Sequence, residues 1–261
     1  MEKAREDEKQ MSAVVRTISI LEALSEMESC NLENLSRKTD LPKATLLRFL
    51  STLTALGYVY RDGADLYHLT LKMFSIGSRS LRHMDLINTA KPFAKHLCQE
   101  LGETVHMGIL EDDSAVYVLK EESIYPLRMY SRVGKVIPLY CTAIGKIFLA
   151  DMSEKELQEY LDRNQLKPFT AKSIKTPQAL RDELERTRQR GWAIDDEEHE
   201  ENMLCIGAPI KDYSGKTIAA MSVSWPIFRF NNDSFQEITE EIKNTTAELS
   251  KVLGFLGSTE Q

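Results

Sequence analysis

The sequence predicts an α+β protein of two parts, a winged helix-turn-helix at residues 12–70 and, beyond a helical linker, an antiparallel sheet with helices at its sides. Three observations support this prediction. Leucine recurs every three to four residues from Leu46, and the run stops at Gly57, as in an amphipathic helix with a glycine cap. From Glu103 onward the apolar period shortens from 3.6 to two, which is typical of strands. Helical patterns return in this second part, the clearest beginning at Pro177.

The first part contains three predicted helices and a hairpin, in the order of a winged helix-turn-helix. Asp40-Leu41-Pro42 separates the second and third helices, because proline disfavours a helical residue before it and suits the first turn of the next helix. After Gly57, Tyr58–Tyr60 and Tyr67–Leu69 flank a glycine-containing turn, which predicts two short strands. The first helix is expected to bury Val14, Val15, Ile18, Leu21 and Leu24. The three helices are predicted at Ser12 to about Glu28, Leu32–Lys38 and Pro42–Ala55.

The side of the third helix opposite its leucines carries donors and small side chains that suit the major groove of DNA. Arg48 is placed to hydrogen-bond a guanine, a contact worth about 1–3 kcal/mol of discrimination between bases. Arg61 of the hairpin and an exposed Arg16 of the first helix suit backbone phosphates. The candidate DNA-binding residues are Arg16, Lys43, Ala44, Thr45, Arg48, Ser51 and Arg61. The alternative is a helical hairpin with an ordinary solvated face.

A linker helix at residues 71–85 is expected to join this module to the second part, residues 86–261, and to contribute to dimerisation. Caps locate several helices of the second part. Ser153 and Glu156 have the spacing of a capping box, and a helix begins after Thr176 and stops at Gly191. Strands are predicted at Thr104–Leu110, Ala115–Lys120, Leu127–Tyr130, Ile206–Ile210 and Thr217–Ser224. Helices are predicted from about Leu86 to Leu101, Thr142–Ala150, Ser153–Leu161, Pro177–Arg190 and Ser234–Leu253.

Composition and charge exclude several classes of protein. The longest apolar runs are far shorter than a membrane span, and residues 1–11 form a charged arm that we expect to be disordered rather than a secretion signal. Four cysteines without paired spacing indicate reduced thiols in a cytoplasmic protein. The net charge of −7 is unevenly divided, because residues 1–84 hold 12 Lys+Arg against 11 Asp+Glu and the other 177 residues hold 21 against 29. Contact with DNA is therefore expected from the first part alone.

Three segments of the second part favour a small-molecule site. In Leu139–Lys146 a loop turns into a helix, whose first backbone amides can hold a carboxylate. The segment Asp195–His199, interpreted as a loop, offers a carboxylate, and Ser222 and Ser224 share one face of a strand. Together they suit a small organic or sugar acid. Cys205 with His199 and Asp195 also has the residue types of a cysteine hydrolase or a metal site, but its apolar surroundings favour an inert thiol and no ligand spacing supports a metal.

Taken in order, these motifs resemble the IclR family of bacterial transcriptional regulators over nearly the whole chain. The residues that carry the resemblance are Val15–Leu24, Leu41–Thr45 with Arg48, Gly57–Val59, Tyr67, Leu69, Pro138–Lys146, Gly191–Asp195, Glu197–His199, Cys205, Ala208-Pro209 and Ser222–Ser224. The resemblance implies a GAF-like effector-binding domain and a dimer, or a dimer of dimers, on palindromic operator DNA. It implies no cofactor and no catalysis. Asn202 stands where family members usually have glycine.

The resemblance also implies an effector pocket. Its positions correspond to the amides of Ala143 and Ile144 and to Asp195, Cys205, Ser222 and Ser224, with Met129 and Ile137 on the apolar side. Within the family the chain is most similar to the 2-keto-3-deoxygluconate-responsive repressors of sugar-acid catabolism, which implies a keto or sugar acid as effector. Two other functions remain open at this stage, a small-molecule enzyme that uses Cys205 and a scaffold protein that binds no DNA.

Overall fold

The computed structural model describes residues 13–73, 75–76, 85–126 and 131–257. The chain divides between residues 84 and 85 into two compact units. Several predictions fall outside the described residues. These are the charged arm at residues 1–11, the greater part of the linker helix, the strand at Leu127–Tyr130 and the apolar contact of Met129.

The first unit has the predicted order of three helices and a hairpin. Its elements are α1 Ala13–Ser25, α2 Leu32–Thr39, α3 Lys43–Ala55, β1 Val59–Arg61 and β2 Tyr67–Leu69. Helix α3 begins one residue later than predicted, because Pro42 has an extended ψ of 139° and forms the cap instead of the first turn. Gly57 has a φ of +75°, as expected of the glycine that ends this helix. Backbone hydrogen bonds between Cys30 and Tyr67 attach the hairpin to the loop before α2.

The buried face of α1 differs from the prediction. Ile20 and Leu24 are buried with Leu21 and Ala23, whereas the side chains predicted to accompany them, Val14, Val15 and Ile18, are 71%, 47% and 44% exposed. Leu56, predicted as part of the α3 stripe, is 53% exposed. Helix α1 carries two neighbouring apolar stripes, and only one of them can face the leucines of α2 and α3. Periodicity alone does not distinguish the two stripes.

The second unit is a six-stranded antiparallel sheet with helices on both faces. The strands are β3 Thr104–Glu111, β4 Ser114–Glu121, β5 Val136–Pro138, β6 Ala193–Asp196, β7 Met203–Lys211 and β8 Thr217–Pro226, in the order β5-β4-β3-β8-β7-β6. The helices are α4 Leu86–Leu101, α5 Ala143–Asp151, α6 Glu154–Arg163, α7 Pro177–Arg190 and α8 Phe235–Val252. The sequence does not predict strands β5 and β6, and Asp195 and Asp196, which it assigns to a loop, lie on β6.

Both faces of the sheet are covered, so its central strands are buried almost throughout. On one face, Met107, Ile206 and Val223 pack with residues of α4 and α8. On the other, Ala115 and Ala220 pack with residues of α5, α6 and α7. Successive side chains of a strand point to opposite faces, so the polar residues at even positions of β8 lie on the α5 side.

The helix ends of the second unit follow the predicted caps. Ser153 and Glu156 form the capping box of α6, and Thr176 caps α7, which stops at Gly191 with a φ of +77°. Asn202 has a φ of +63°. This left-handed conformation is natural for glycine and tolerated by asparagine, so asparagine fits the turn at this position.

Candidate functional site

The exposed side of α3 carries most of the residues predicted to contact DNA. Leu46, Leu50 and Leu53 are buried, which turns the other side of the helix toward solvent. Arg48 is exposed, with its guanidinium carbon 5.6 Å from the centre of the Phe49 ring. The remaining predicted positions on α3 are exposed Lys43, Ala44 and Ser51 and half-buried Thr45. A helix with this arrangement can enter a major groove with its donors toward base edges.

The other two predicted DNA contacts lie beside α3. Arg61, at the end of β1, is exposed and forms a 2.8 Å ion pair with Asp65. Arg16 of α1 is half-buried, not exposed as predicted, and its Nε is buried without a hydrogen-bond partner among the described residues. Lys43 pairs with Glu33 of α2. Exposed ion pairs contribute little to stability. Lys43 and Arg61 can therefore leave their carboxylate partners and bind phosphates at a small cost in free energy.

In the second unit, the first backbone amides of α5 have no acceptor within the helix, as at every helix start. Thr142 caps the helix, because its Oγ1 accepts a 3.1 Å hydrogen bond from the N–H of Gly145 and donates one of 2.7 Å to the carbonyl of Pro138. The cap provides no acceptor for the first-turn amides of Ala143 and Ile144. Together with the partial positive charge of the helix N-terminus, they can bind an anion.

Strand register brings the other predicted positions to the same face. Asp195, Cys205 and Ser224 are consecutive cross-strand partners on β6, β7 and β8. In the adjacent row, Ser222 pairs with Gly207. A Cβ added to Gly207 would lie 3.5 Å from the Cβ of Ala143, so the first residue of α5 packs directly over this row. The structure thus places Asp195, Cys205, Ser222 and Ser224 beside the start of α5.

The predicted effector positions that the structure describes are all buried: Ile137, Ala143, Ile144, Asp195, Cys205, Ser222 and Ser224. Asp195 Oδ1 accepts backbone hydrogen bonds from Glu198 at 2.8 Å and His199 at 3.2 Å. Burial nevertheless raises the pKa of Asp195 to about 7. The Cys205 thiol lies 3.2 Å from the hydroxyl of Ser224. Burial raises the pKa of the thiol, so the nucleophilic thiolate form of Cys205 is disfavoured.

Two charged residues of this site escaped the sequence analysis. Lys146 is completely buried and pairs with Glu198, and it lies 4.0 Å from Glu183 of α7. The sequence gives no sign that this lysine is buried, because a lysine on a helix is normally solvent-exposed. A histidine was missed as well. Thr104 and His106 alternate on β3 as Ser222 and Ser224 do on β8, and that spacing is the signal that sequence reasoning could have used.

Other chemistries find no support in the described parts of the chain. Among the described residues no group of three or more His, Cys, Asp or Glu side chains is arranged to hold a metal ion. Within those same ranges, no helix has both the length and the apolar character needed to cross a membrane.

Two segments match the domains of one family. Residues 13–63 match the IclR helix-turn-helix domain, and residues 78–251 match the C-terminal domain of the bacterial transcriptional regulator IclR. The chain belongs to the IclR family. The second match contains every predicted effector position, and the second unit of this IclR-family protein is called the effector domain below.

Relatives and solved structures agree with this assignment. The HTH-type transcriptional regulator KdgR of Escherichia coli K12 is 38% identical over 246 residues, which are 94% of each chain. The transcriptional repressor AllR of the same organism is 31% identical, over 95% of this chain and 92% of AllR. The crystal structure of the Agrobacterium tumefaciens repressor BlcR superposes with a TM-score of 0.78 at 28% identity, covering 95% of this chain and 99% of that one.

The family decides the class of function. IclR-family proteins are regulators that bind operator DNA and small-molecule effectors, so this chain is a ligand-responsive, DNA-binding transcriptional regulator of the KdgR-like branch. It is not an enzyme, and the alternative based on a reactive Cys205 is wrong, since the relatives are regulators and the thiol is buried.

Proposed function

We propose that this regulator is a repressor of a sugar-acid or small organic-acid catabolic operon, and that its effector is a keto or sugar acid bound in the effector domain. The observation that carries the proposal is the position of the α5 amides over a sheet face that holds Asp195, Ser222 and Ser224. The similarity to proteins named KdgR supports a hydroxylated keto acid such as 2-keto-3-deoxygluconate.

The chemistry of the site matches the two ends of such a ligand. The amides of Ala143 and Ile144 bind the carboxylate. The hydroxyls of Ser222 and Ser224 and the carboxyl group of Asp195 bind its hydroxyl or keto oxygens, while Ile137, buried in the cluster beneath α5, provides an apolar side. Met129 belongs to the same proposed set.

On the DNA side, α3 enters the major groove and Arg48 reads base edges, while Arg16 and Arg61 contact phosphates. A homodimer or homotetramer presents two modules to a palindromic operator in the cytoplasm, with half-sites about one helical turn apart. The effector acts by a population shift, because it binds one arrangement of the paired modules more tightly than the other. A coupling free energy of about 1–3 kcal/mol changes operator occupancy roughly 5–150-fold.

Arg48→Ala is expected to weaken operator binding by about 5–150-fold, since a side chain that contacts a base contributes about 1–3 kcal/mol. Electrophoretic mobility shift on the protein's own promoter, at a fixed salt concentration, measures this change. Arg48 lies in the first unit, so the effector-induced rise in melting temperature is expected to stay as in the wild type. Lys155→Ala, an exposed cation of α6, is the control and should bind DNA normally. Equal operator affinity of wild type and Arg48→Ala would refute the assignment of α3.

Ser222→Ala is expected to have the opposite effect. Loss of the hydrogen bond to the ligand should weaken effector binding by about fivefold or more, since leaving a buried oxygen of the ligand without its partner costs about 1–3 kcal/mol. A thermal-shift titration with sugar acids and small keto acids detects this, because a ligand that binds only the folded state raises the melting temperature. Operator binding without effector should be unchanged. Ser214→Ala, in an exposed turn, is the matched control. Identical titrations for all three proteins would exclude this pocket.

A further inference from the structure

We propose that His106 belongs to the effector site and hydrogen-bonds an uncharged oxygen of the ligand, a hydroxyl or keto group, at the end away from the carboxylate. This inference rests on the proposed function and names a binding residue that the sequence did not indicate. It makes His106 a specificity-determining residue, which distinguishes hydroxylated acids from acids that lack a second oxygen group.

The position of His106 follows from strand register. His106 on β3 is the cross-strand partner of Ser222 on β8, so both side chains lie on the face that packs against α5. Its neighbour two residues along the strand, Gly108, has the Cγ2 of Ile144 3.0 Å from where a Cβ would be. The imidazole therefore lies on the strand next to the one that carries Ser222 and Ser224, and close to the start of α5.

Within the described ranges, one ring nitrogen of His106 has no hydrogen-bond partner. The side chain is completely buried, its Nε2 lies 2.6 Å from the hydroxyl of Ser131, and its ring stacks on Tyr117 with centroids 4.4 Å apart. Its Nδ1 is also buried but has no hydrogen-bond partner among the described residues. A buried polar atom without a partner costs free energy. A ligand that supplies an oxygen at Nδ1 removes that cost, so the imidazole favours binding of such a ligand.

The electrostatics indicate which part of the ligand His106 contacts. Burial, with Lys120 and Lys135 nearby, lowers the pKa of His106 to about 3, so the ring is neutral in the physiological range. A neutral imidazole has one donor and one acceptor nitrogen and no charge to balance a carboxylate. Lys120 Nζ in turn donates a 2.9 Å hydrogen bond to the carbonyl of Ser131, which holds the Ser131–His106 pair in place. The carboxylate is left to the α5 amides.

The test compares His106→Phe with wild type, using 2-keto-3-deoxygluconate as the probe and isothermal titration calorimetry as the measurement. Phenylalanine keeps a flat aromatic ring on Tyr117 but removes both nitrogens. We expect the affinity for the probe to fall by at least about tenfold. The melting temperature without ligand should change little, because removing Nδ1, which has no partner among the described residues, offsets the loss of the Nε2–Ser131 hydrogen bond. His106→Asn, which can bond the ligand, should recover part of the affinity. His96→Phe, an exposed histidine of α4, is the control.

The outcomes separate this inference from the proposed function. If wild type binds the probe and His106→Phe binds it within twofold, the role of His106 is refuted and the proposed effector class stands. If His106→Phe has a lower melting temperature without ligand and an unchanged affinity, the histidine has only a structural role, which also refutes the inference. If wild type itself binds neither the probe nor any other sugar acid or keto acid, the proposed effector class fails, and the inference fails with it.

Discussion

Replacing Lys146 by methionine is expected to lower the free energy of unfolding of the effector domain by about 3–5 kcal/mol at pH 8, because removing one partner of a buried ion pair leaves the other charge uncompensated. Lys146 is completely buried and paired with Glu198. Glu183 has Arg186 and Arg190 beside it, so the substitution chiefly affects Glu198 and also Asp195, whose pKa Lys146 lowers against the effect of burial. One oxygen of Glu198 is already buried without a hydrogen-bond partner among the described residues.

The same substitution has an expected pH dependence. Burial raises the pKa of Glu198, and Lys146 acts against that rise, so its removal raises the pKa further. A carboxyl group whose pKa is higher in the folded state stabilises the fold while it is protonated, and this stability is lost as pH rises from about 4.3, the unfolded value, through the folded pKa. The deficit of Lys146→Met is therefore expected to be smaller at pH 5 than at pH 8.

Tryptophan fluorescence during urea unfolding measures this deficit. Both tryptophans of the chain, Trp192 and Trp225, lie in the effector domain, so the signal reports on that domain alone. Lys155→Met, at an exposed lysine, is the control and should change stability by no more than about 0.5 kcal/mol. Adding Glu198→Gln to Lys146→Met should recover part of the loss. A Lys146→Met protein as stable as wild type at pH 8 would contradict the importance of this ion pair.

Gly145→Ala is the second substitution with a large expected effect. On an ordinary helix this change stabilises by up to about 1 kcal/mol, but here a Cβ would lie 2.2 Å from the Cα, 2.3 Å from the carbonyl oxygen and 2.6 Å from the carbonyl carbon of Leu139. Backbone atoms cannot rotate away, so α5 or the loop before it must move. We expect a destabilisation of about 1–3 kcal/mol or more and, because the amides of Ala143 and Ile144 move with the helix, a loss of effector binding.

Thermal unfolding followed by tryptophan fluorescence, together with effector titration, measures both effects of Gly145→Ala. Lys155→Ala, at an exposed position of α6 in the same domain, is a suitable control, and its melting temperature should be close to that of wild type. An alanine at position 145 with normal stability and normal effector binding would show that the close approach to Leu139 is not required.

The sequence by itself determined most element boundaries and the family. Caps and periods are local, because they depend on residues within one or two turns of each other. The stops at Gly57 and Gly191, the capping box of Ser153 and the hairpin before Thr70 were therefore predicted and found. The motif order that resembles the IclR family was readable for the same reason, since it needs only positions along the chain.

The tertiary structure alone decided which side chains are buried together. The helical period of 3.6 residues fits both apolar stripes of α1. Contact with α2 and α3 determines which of the two stripes is buried. Asp195, interpreted as part of a loop, lies on β6 because it pairs with Cys205 on β7, and such pairing joins distant parts of a chain. Lys146 became a candidate only through its burial and its partner Glu198, and the buried position of His106 beside Ser222 likewise came from strand pairing. Burial and strand pairing depend on contacts between residues far apart in the sequence, so a local pattern of residues cannot predict them.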